Sequence, residues 1–295
     1  MAVLVAAVDQ GGFAAAADSL GLTASGVSKT VSRLETRLGV RLLERTTRRI
    51  APTPEGAQYI ETARRILADI EEAEAALVEG RGRPQGRLRV NSGVAFAVHQ
   101  LAPALGTFSI RYPDVQLDLQ VTDRIVDLAA EGADLAIRTG AVSDERLVAR
   151  GFGEIRRVIC ASPNYLESRG TPRGPADLQG HACINMLSSP HLSLWPFRGD
   201  GGVHLVETRG PLNVDNAEAA LALGLAGQGL IRLGDFVVAN AVRDGRLVAV
   251  LKECHHVEPV PISLVFPPGR QRLPRMRVFL DFIMERFHAS PWRLD

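Results

Sequence analysis

The sequence predicts an α/β protein in three parts: a winged helix-turn-helix, a long linker helix and a larger α/β domain. A basic segment with helical periodicity, residues 22–49, follows an alanine-rich stretch. A near-heptad apolar repeat covers residues 60–77 and runs into a stretch rich in glycine and proline. From residue 87 onward strand-like and helix-like patterns alternate, which is typical of a parallel α/β sheet.

Length and composition favour an ordinary globular protein. The 295 residues are enough for about two domains, and 46% are hydrophobic. Cys160, Cys183 and Cys254 show no CxxC spacing, so we expect no disulfide framework or structural zinc, and a reducing cytoplasm fits best. The apolar start, residues 2–8, lacks a preceding basic region, and the apolar stretch 221–242 is interrupted by polar residues. Neither a signal peptide nor a membrane span is expected.

The stretch GFAAAADSLGL predicts the first helix, because alanine is a strong helix former. The residues that share its apolar face are Phe13, Ala16, Ala17 and Leu20. Gly21 then breaks the helix, and Thr23 follows as the N-cap of a second one. The residues predicted to form the buried face of that second helix are Val27, Val31, Leu34 and Leu38. Gly39 ends it.

Positive charge is concentrated on the second helix and just after it. Residues 22–49 hold seven basic and two acidic residues, a net charge of +5, whereas the whole chain carries +1. Two short helices joined by a glycine-containing turn describe a helix-turn-helix, and lysine and short hydroxyl side chains suit phosphates and base edges. The segment ERTTRRIAPT is predicted to form a small basic hairpin, the wing. Periodicity alone leaves open a solvated basic face without a DNA role.

The residues from Phe13 to Gly56 closely resemble the winged helix-turn-helix of LysR-type transcriptional regulators. The matching positions are Phe13, Ala16, Ala17, Val27, Ser28, Lys29, Leu34, Glu35, Leu38, Gly39, Arg45, Thr53 and Gly56. The resemblance implies DNA contacts from the second, recognition helix at Thr23, Ser25, Ser28, Lys29, Ser32 and Arg33. It implies backbone contacts from the wing at Arg45, Arg48 and Thr53.

The chain departs from the LysR pattern in three places. Several residues usual before the first helix are missing, Leu43 stands where phenylalanine is common, and Pro52 stands where a leucine is usual. Because proline cannot donate a ladder hydrogen bond, the pairing of the wing strands is left open.

After Gly56 the charge reverses, and a long amphipathic helix is predicted. Residues 61–80 hold six acids and two bases, a net charge of −4. Its apolar seam is Ile60, Ala63, Leu67, Ile70 and Leu77, with Glu74 as the flaw. Packing on its own domain is the alternative to a coiled-coil seam. The segment 80–86, with three glycines and a proline among its residues, is predicted to be a hinge.

The remaining residues resemble the LysR effector domain, carried by the segments LAPALGTFSIRYPDVQLDL, DLAAEGADLAIRTG, ICASPNYLESRGTP and DGRLVAVL. The resemblance implies a periplasmic-binding-protein-like fold of two α/β lobes joined by two crossover strands. The predicted domains are the DNA-binding domain 1–57, the linker helix and hinge 58–86, and the effector domain 87–295, with crossovers near 158–162 and 262–266. The resemblance implies that the linker helix serves dimerisation. The first lobe is then 87–160 plus 265–295, and the second is 161–264.

Open α/β sheets bind ligands beyond the carboxyl ends of their strands, where helix N-termini suit anions. The residues proposed for an effector site on this ground and on the resemblance are Ser92, Gly93, Arg138, Thr139, Trp195 and Asn216. Each of them has a simpler alternative, a helix cap or, for Trp195, a packed core residue. A small anionic effector, most simply a carboxylate, is the hypothesis that follows.

Enzyme and metal signals are weak. GLAGQG, residues 224–229, lacks the order of a dinucleotide loop and is predicted to close a helix, not to open one. ECHH, residues 253–256, offers adjacent histidines, which seldom bind one metal together. We therefore predict a regulator without cofactor, whose partners are double-stranded DNA, a small effector and a second copy of the chain, with a tetramer implied by the resemblance. A ligand-binding module whose first domain serves protein association is the alternative.

Overall fold

A computed structural model describes residues 1–45, 50–78, 84–124, 128, 131–187 and 190–294. The chain divides into two compact units, residues 1–83 and residues 84–295. Each unit has its own hydrophobic core, so each is described separately.

The first unit begins with three short helices. They are Ala2–Asp9 (α1), Phe13–Leu20 (α2) and Ala24–Leu38 (α3). Helix α1 has no counterpart in the sequence prediction. The predicted helix ends are confirmed, because Gly21 and Gly39 both have left-handed backbones, with φ of 63° and 69°. Thr23 caps α3, and its hydroxyl accepts from the Gly26 N–H at 3.1 Å.

The wing is a two-stranded antiparallel hairpin of Leu43–Arg45 (β1) and Ile50–Pro52 (β2). The Thr53 N–H donates to the Leu42 carbonyl, which makes those two residues a hydrogen-bonded pair. Bonded and non-bonded pairs alternate along an antiparallel ladder, so Pro52 occupies a non-bonded position opposite Leu43. Its missing N–H therefore removes no ladder bond, and the pairing left open by the sequence does form.

Helix Pro54–Val78 (α4) follows directly and packs on the core of the same unit. Ile60 and Ala63 are buried there, and Leu67 packs against them. These three seam residues therefore pack on their own unit, which is the alternative that the sequence left open for the start of this helix. On α2 and α3 two predicted core positions are also exposed, Leu20 at 38% and Leu38 at 40%.

The second unit contains two separate sheets. The first has five strands, which are Gly86–Ser92 (β3), Val115–Val121 (β4), Leu135–Thr139 (β5), Val148–Ile155 (β6) and Val260–Phe266 (β14). Their order in the sheet is β4–β3–β5–β14–β6. The first three run parallel to one another, as the alternation predicted, and β14 runs antiparallel to both of its neighbours.

The second sheet is built around Arg157–Ala161 (β7). Ile231–Gly234 (β12) and Val248–Ala249 (β13) flank β7 in antiparallel register. A parallel pair, Asn185–Met186 (β8) and Asn213–Val214 (β11), joins β12 through a bridge between Cys183 and Leu230. A hairpin of Leu194–Gly199 (β9) and Gly202–Glu207 (β10) lies over one face of this sheet.

The sheet pairings place both crossovers at residues other than those predicted from the sequence. All of β7 belongs to the second sheet, so the chain first crosses at Arg156 and not near 158–162. All of β14 belongs to the first sheet, so the return lies between residues 249 and 260 and not near 262–266. The apolar runs on either side of each crossing look alike in sequence, and only the hydrogen-bonded partners separate them.

Helices cover both sheets of the second unit. They are Val94–Phe96 (α5), Ala102–Arg111 (α6), Pro163–Arg169 (α7), Ala217–Leu225 (α8), Asp235–Arg243 (α9) and Pro274–Phe287 (α10). A π-helical turn, Ala97–Leu101, joins α5 to α6. The Phe96 ring touches Phe236 of the second lobe and Trp292 near the C-terminus, with ring centroids 5.8 and 6.0 Å apart. An aromatic cluster thus connects the two lobes.

Most of the hinge predicted at 80–86 falls on residues 80–83, which lie outside the described residues. The segment 224–229 does close helix α8, as predicted, since α8 ends at Leu225 and Gly227 follows with φ of 75°.

Candidate nucleic-acid interface and effector site

The N-terminal half of α3 presents hydroxyl and basic side chains to solvent. Thr23, Ser25, Lys29 and Arg33 are exposed, and Ser28 and Ser32 are half-buried. The Thr23 hydroxyl lies 3.2 Å from the Ser25 hydroxyl, so the cap residue and its neighbour form one polar group at the helix start. All six residues proposed from the sequence as recognition-helix contacts therefore lie outside the buried core.

The basic side chains of α3 lie along one exposed stripe. Lys29, Arg33 and Arg37 follow one another at four-residue intervals, which places them on the same side of a helix. No carboxylate of a described residue forms a salt bridge with Lys29 or Arg33, so their charges are available to phosphates. The four-residue spacing of these basic residues thus places their charges together on one exposed side of α3.

The backbone of residues 41–43 links α3, the wing and α4. The Glu35 carboxylate accepts from the N–H groups of Leu42 and Leu43 at 2.8 and 3.0 Å. The Thr53 hydroxyl donates to the Arg41 carbonyl at 2.8 Å and accepts from the Gly56 N–H at 2.9 Å. A Cβ on Gly56 would lie 1.8 Å from the Leu42 carbonyl oxygen, so only glycine allows this approach.

The wing residues proposed as backbone contacts have different positions. Arg45 is the last residue of β1 and pairs with Ile50. Arg48 lies outside the described residues. Thr53 is half-buried and its hydroxyl caps the start of α4, so its observed partners are within the protein.

In the second unit, Ser92 and Gly93 end β3 and begin helix α5. Ser92 is buried, and its hydroxyl donates to the Gly93 carbonyl at 3.2 Å. The Asp123 carboxylate accepts from the Val94 N–H at 2.9 Å. This helix start, which the sequence interpretation left free for an effector carboxylate, already carries a carboxylate of the chain.

Arg138 and Thr139 end β5, as predicted. The Arg138 Nη1 donates to the Asn91 side-chain oxygen at 2.7 Å, whereas its Nη2 is buried and has no hydrogen-bond partner among the described residues. Burial lowers the pKa of this guanidinium. Because Asn91 and Ser92 are adjacent in a strand, Arg138 and Ser92 lie on opposite faces of the sheet. Thr139 is exposed.

Asn216 caps helix α8, and its side-chain oxygen accepts from the Ala219 N–H at 2.9 Å. Two residues later Glu218 Oε1 lies 2.9 Å from Nε2 of His99 in the π-helical turn, within hydrogen-bond distance. This pair brings the start of α8 in the second lobe against the helix that follows Ser92 in the first. The cap alternative that the sequence left open for Asn216 is the observed one.

Trp195 is a core residue of the second lobe. Its side chain is 1% exposed and packs in the cluster that contains Phe197 and Leu251. A side chain enclosed in this way lines no opening, so the packed alternative is correct for Trp195. Side chains alternate between the two faces of β9, and Trp195 and Phe197 both lie on its buried face.

Both parts of the chain match known protein families. The family described as "Bacterial regulatory helix-turn-helix protein, lysR family" matches residues 1–57, and "LysR substrate binding domain" matches residues 81–288. The chain belongs to the LysR family of transcriptional regulators.

Individual relatives agree with this assignment. An HTH-type transcriptional repressor of Pseudomonas aeruginosa is 38% identical over 293 residues, which are 99% of this chain and 92% of the relative. The regulator CrgA of Neisseria meningitidis is 36% identical over 286 residues, 97% of this chain and 95% of the relative. The solved CrgA structure covers 96% of both chains with a TM-score of 0.66. Full-length AphB of Vibrio cholerae, 23% identical, shares the fold over 97% of both chains with a TM-score of 0.62.

Membership of the LysR family makes this protein a DNA-binding transcriptional regulator with an effector-binding domain, and not an enzyme. Among the described residues no helix is long and apolar enough to cross a membrane. In the same part of the chain no three His, Cys, Asp or Glu side chains are grouped to hold a metal ion. His255 of the ECHH segment instead accepts from Arg232 Nε at 3.0 Å.

Several functional features of this LysR regulator escaped the sequence reasoning. Glu35 and Gly56 are positions that match the family pattern, but the sequence does not reveal that both contact the backbone of residues 42–43. Those contacts form only when the chain before the wing packs between α3 and α4. The His99–Glu218 pair joins residues 119 positions apart, which no local pattern reveals. The π-helical turn that presents His99 interrupts an otherwise helical pattern, and such turns occur frequently at functional sites.

Proposed function

We propose that this LysR regulator recognises promoter DNA through the exposed face of α3 and that a small anionic effector controls its binding. The observation that supports the DNA half is the stripe of Lys29 and Arg33 beside the hydroxyls of Ser25 and Ser28. Short side chains allow close approach to base edges, and the basic residues neutralise phosphates. A cytoplasmic location belongs to the same proposal, since promoter DNA is the ligand.

Binding isotherms on specific and scrambled duplexes at several salt concentrations test this role. We expect Lys29→Ala to lose about 1–3 kcal/mol on the specific duplex and less on the scrambled one, because it removes a base contact. Arg48→Ala, a phosphate contact by the family resemblance, should weaken both duplexes alike and reduce the salt slope by about one. Lys252→Ala, an exposed lysine of the second unit, is the matched control. Equal binding by the Lys29→Ala and Lys252→Ala variants would contradict the proposal.

An anionic effector is supported by Arg138 more than by the helix starts. Both helix starts carry an oxygen of the chain, from Asp123 and from Asn216 itself. The Arg138 guanidinium keeps one buried nitrogen without a hydrogen-bond partner among the described residues. Leaving such a donor unsatisfied costs free energy, and a carboxylate or similar oxyanion would satisfy it with a charge-assisted bond.

Thermal unfolding of the full chain with a series of small carboxylates tests the effector proposal. Trp195 and Trp292, the two tryptophans of the sequence, both lie in the second unit, so their fluorescence follows unfolding of that unit. A carboxylate at about a hundred times its Kd should add about 2.7 kcal/mol. Arg138→Gln should remove this gain, whereas Arg146→Gln, whose side chain is 82% exposed, should keep it. A carboxylate that stabilises both variants equally binds elsewhere.

A homodimer through α4 completes the proposal, and the family resemblance adds a tetramer through the effector domains. One helix-turn-helix reads too few base pairs to find a site in a genome, and two copies on a symmetric frame solve this. Ile66 and Ile70 are apolar, one turn apart and exposed at 37% and 47%. They support a seam on the side of α4 that faces away from the core of its own unit.

A further inference from the structure

Two arginines lie side by side at the end of the second sheet where the chain enters it. Arg157 is the first residue of β7, and Arg232 is the second residue of β12. Arg157 pairs with Gly234, and Arg232 pairs with Ile159. Residues in these diagonal positions point to the same face of an antiparallel sheet, so both guanidinium groups share one side.

A neutral histidine fixes one of these arginines. The Arg232 Nε donates to His255 Nε2 at 3.0 Å, and His255 is only 3% exposed. Burial, followed by the nearby charges of Arg232, His256, Arg198 and Arg157, lowers the pKa of His255 to about 3. The imidazole is therefore neutral at physiological pH, and accepting at Nε2 leaves the two terminal nitrogens of Arg232 for another partner.

The positive charge of this pair is not compensated within the described residues. No carboxylate oxygen of those residues lies within 4 Å of either guanidinium. Glu258, whose charge acts on both arginines, has its Oε1 3.4 Å from His256 Nε2, and its side chain is 76% exposed. Burial lowers the pKa of both arginines, that of Arg232 to about 10, yet both remain protonated at neutral pH.

We propose that Arg157, Arg232 and His255 form a binding site for a small oxyanion, a carboxylate or a sulfate-like group. Two half-buried guanidinium groups on one face offer several N–H donors in the planar geometry that matches such anions. Bringing two cations together away from water is unfavourable, and a bound anion offsets that cost with charge-assisted hydrogen bonds.

The site joins both crossings between the lobes. Arg157 directly follows the outgoing crossing at Arg156, and His255 lies in the return segment between β13 and β14. An anion held there bridges the two segments that connect the lobes. This site shares no strand or helix with Arg138, Ser92 or Asn216, so it is distinct from the effector site proposed above. Only its regulatory consequence rests on that proposed function.

Thermal unfolding of the full chain with sulfate and with malonate, at constant ionic strength set by sodium chloride, tests the proposal. Sulfate tests whether the site binds a tetrahedral oxyanion, and malonate tests whether it binds a carboxylate. We expect a saturable rise in Tm with at least one of them and affinity that is flat between about pH 6.5 and 8, because His255 stays neutral. Arg157→Gln and Arg232→Gln should each weaken binding roughly tenfold, the loss typical of one charge-assisted bond.

Matched variants keep the result interpretable. Arg209→Gln removes an arginine of the same lobe that is 84% exposed and should bind as the unaltered chain does. Glu258→Gln should strengthen binding, because it removes a competing carboxylate. The Arg157 side chain donates no hydrogen bond to a described residue, so Arg157→Gln should fold even if Arg232→Gln does not. The proposal is overturned if neither anion raises Tm, or if the Arg157→Gln and Arg209→Gln variants respond equally.

Discussion

Replacing Glu35 tests how the recognition helix is held against the wing. In Glu35→Ala the N–H groups of Leu42 and Leu43 lose the carboxylate that accepts from both at 2.8 and 3.0 Å. Both residues are 2% exposed, so water has little access to the two donors. An unsatisfied buried donor costs about 1–3 kcal/mol, and the pair therefore amounts to about 2–6 kcal/mol. That is a large share of the typical stability of a small domain.

Two optical probes separate the two units in this experiment. The first unit holds no tryptophan, so tryptophan fluorescence follows the second unit alone, whereas helices of both units contribute to circular dichroism at 222 nm. In urea unfolding, the part of the circular dichroism change that fluorescence does not share therefore reports the first unit. We expect Glu35→Ala to lower the urea midpoint of that part and to leave the fluorescence midpoint unchanged.

The conservative variant and the control define what would refute the reasoning. Glu35→Gln keeps an acceptor oxygen but loses the charge, so its loss should be about half that of Glu35→Ala. Glu44→Ala removes an exposed carboxylate from the neighbouring strand and should change stability by less than about 0.5 kcal/mol. If Glu35→Ala and Glu44→Ala have the same midpoint, the two backbone bonds do not hold the wing.

Three further predictions address other contacts. Gly56→Ala should destabilise the first unit by more than about 3 kcal/mol in the circular dichroism assay, since its Cβ would lie 1.8 Å from a carbonyl oxygen. Gly106→Ala, a helical position with open space around it, should instead stabilise the second unit by about 0.5–1 kcal/mol; equal shifts for the two glycines would contradict the steric argument. Burial raises the pKa of Asp235 to about 6, so the folded state keeps a proton that the unfolded state releases, and this group's contribution to stability falls as pH rises from about 4 to 6. Asp235→Asn should therefore gain stability relative to the unaltered chain by about 2 kcal/mol between pH 4.5 and 7.5 in fluorescence-monitored urea unfolding, and a pH-independent difference would show that the carboxyl does not titrate there. Ile66→Asp with Ile70→Asp should lower the mass measured by light scattering and abolish specific DNA binding while leaving helical content intact; an unchanged mass would mean that the chains pair elsewhere.

Local sequence determined the ends and caps of the DNA-binding helices. Gly21 and Gly39 supply left-handed backbones and Thr23 supplies a hydroxyl at the helix start, and each of these effects acts within one turn of the chain. The apolar periodicity likewise identified Val27, Val31 and Leu34 as buried. Alternating strand and helix patterns were enough for the parallel α/β architecture, because a parallel strand pair needs an intervening crossover.

Tertiary structure decided what a helix face meets. Ile60, Ala63 and Leu67 have the spacing of a coiled-coil seam, but they pack on α1 and the wing of their own unit. Periodicity reports that a face is apolar and cannot report which apolar surface covers it. The same limit explains Leu38, which continues the apolar row of α3 beyond the part that the unit covers.

The ends of the strands show the same division. Sequence placed Ser92 and Arg138 at strand ends, and it could not assign them to opposite faces of one sheet or supply the partners Asp123 and Asn91. It also could not bring Arg157, Arg232 and His255 together, since they come from two strands and a return segment nearly one hundred residues apart. Local hydrogen bonds and periodicity are set by neighbours in the chain, whereas charge pairing and close backbone approach depend on which distant segments the core brings into contact.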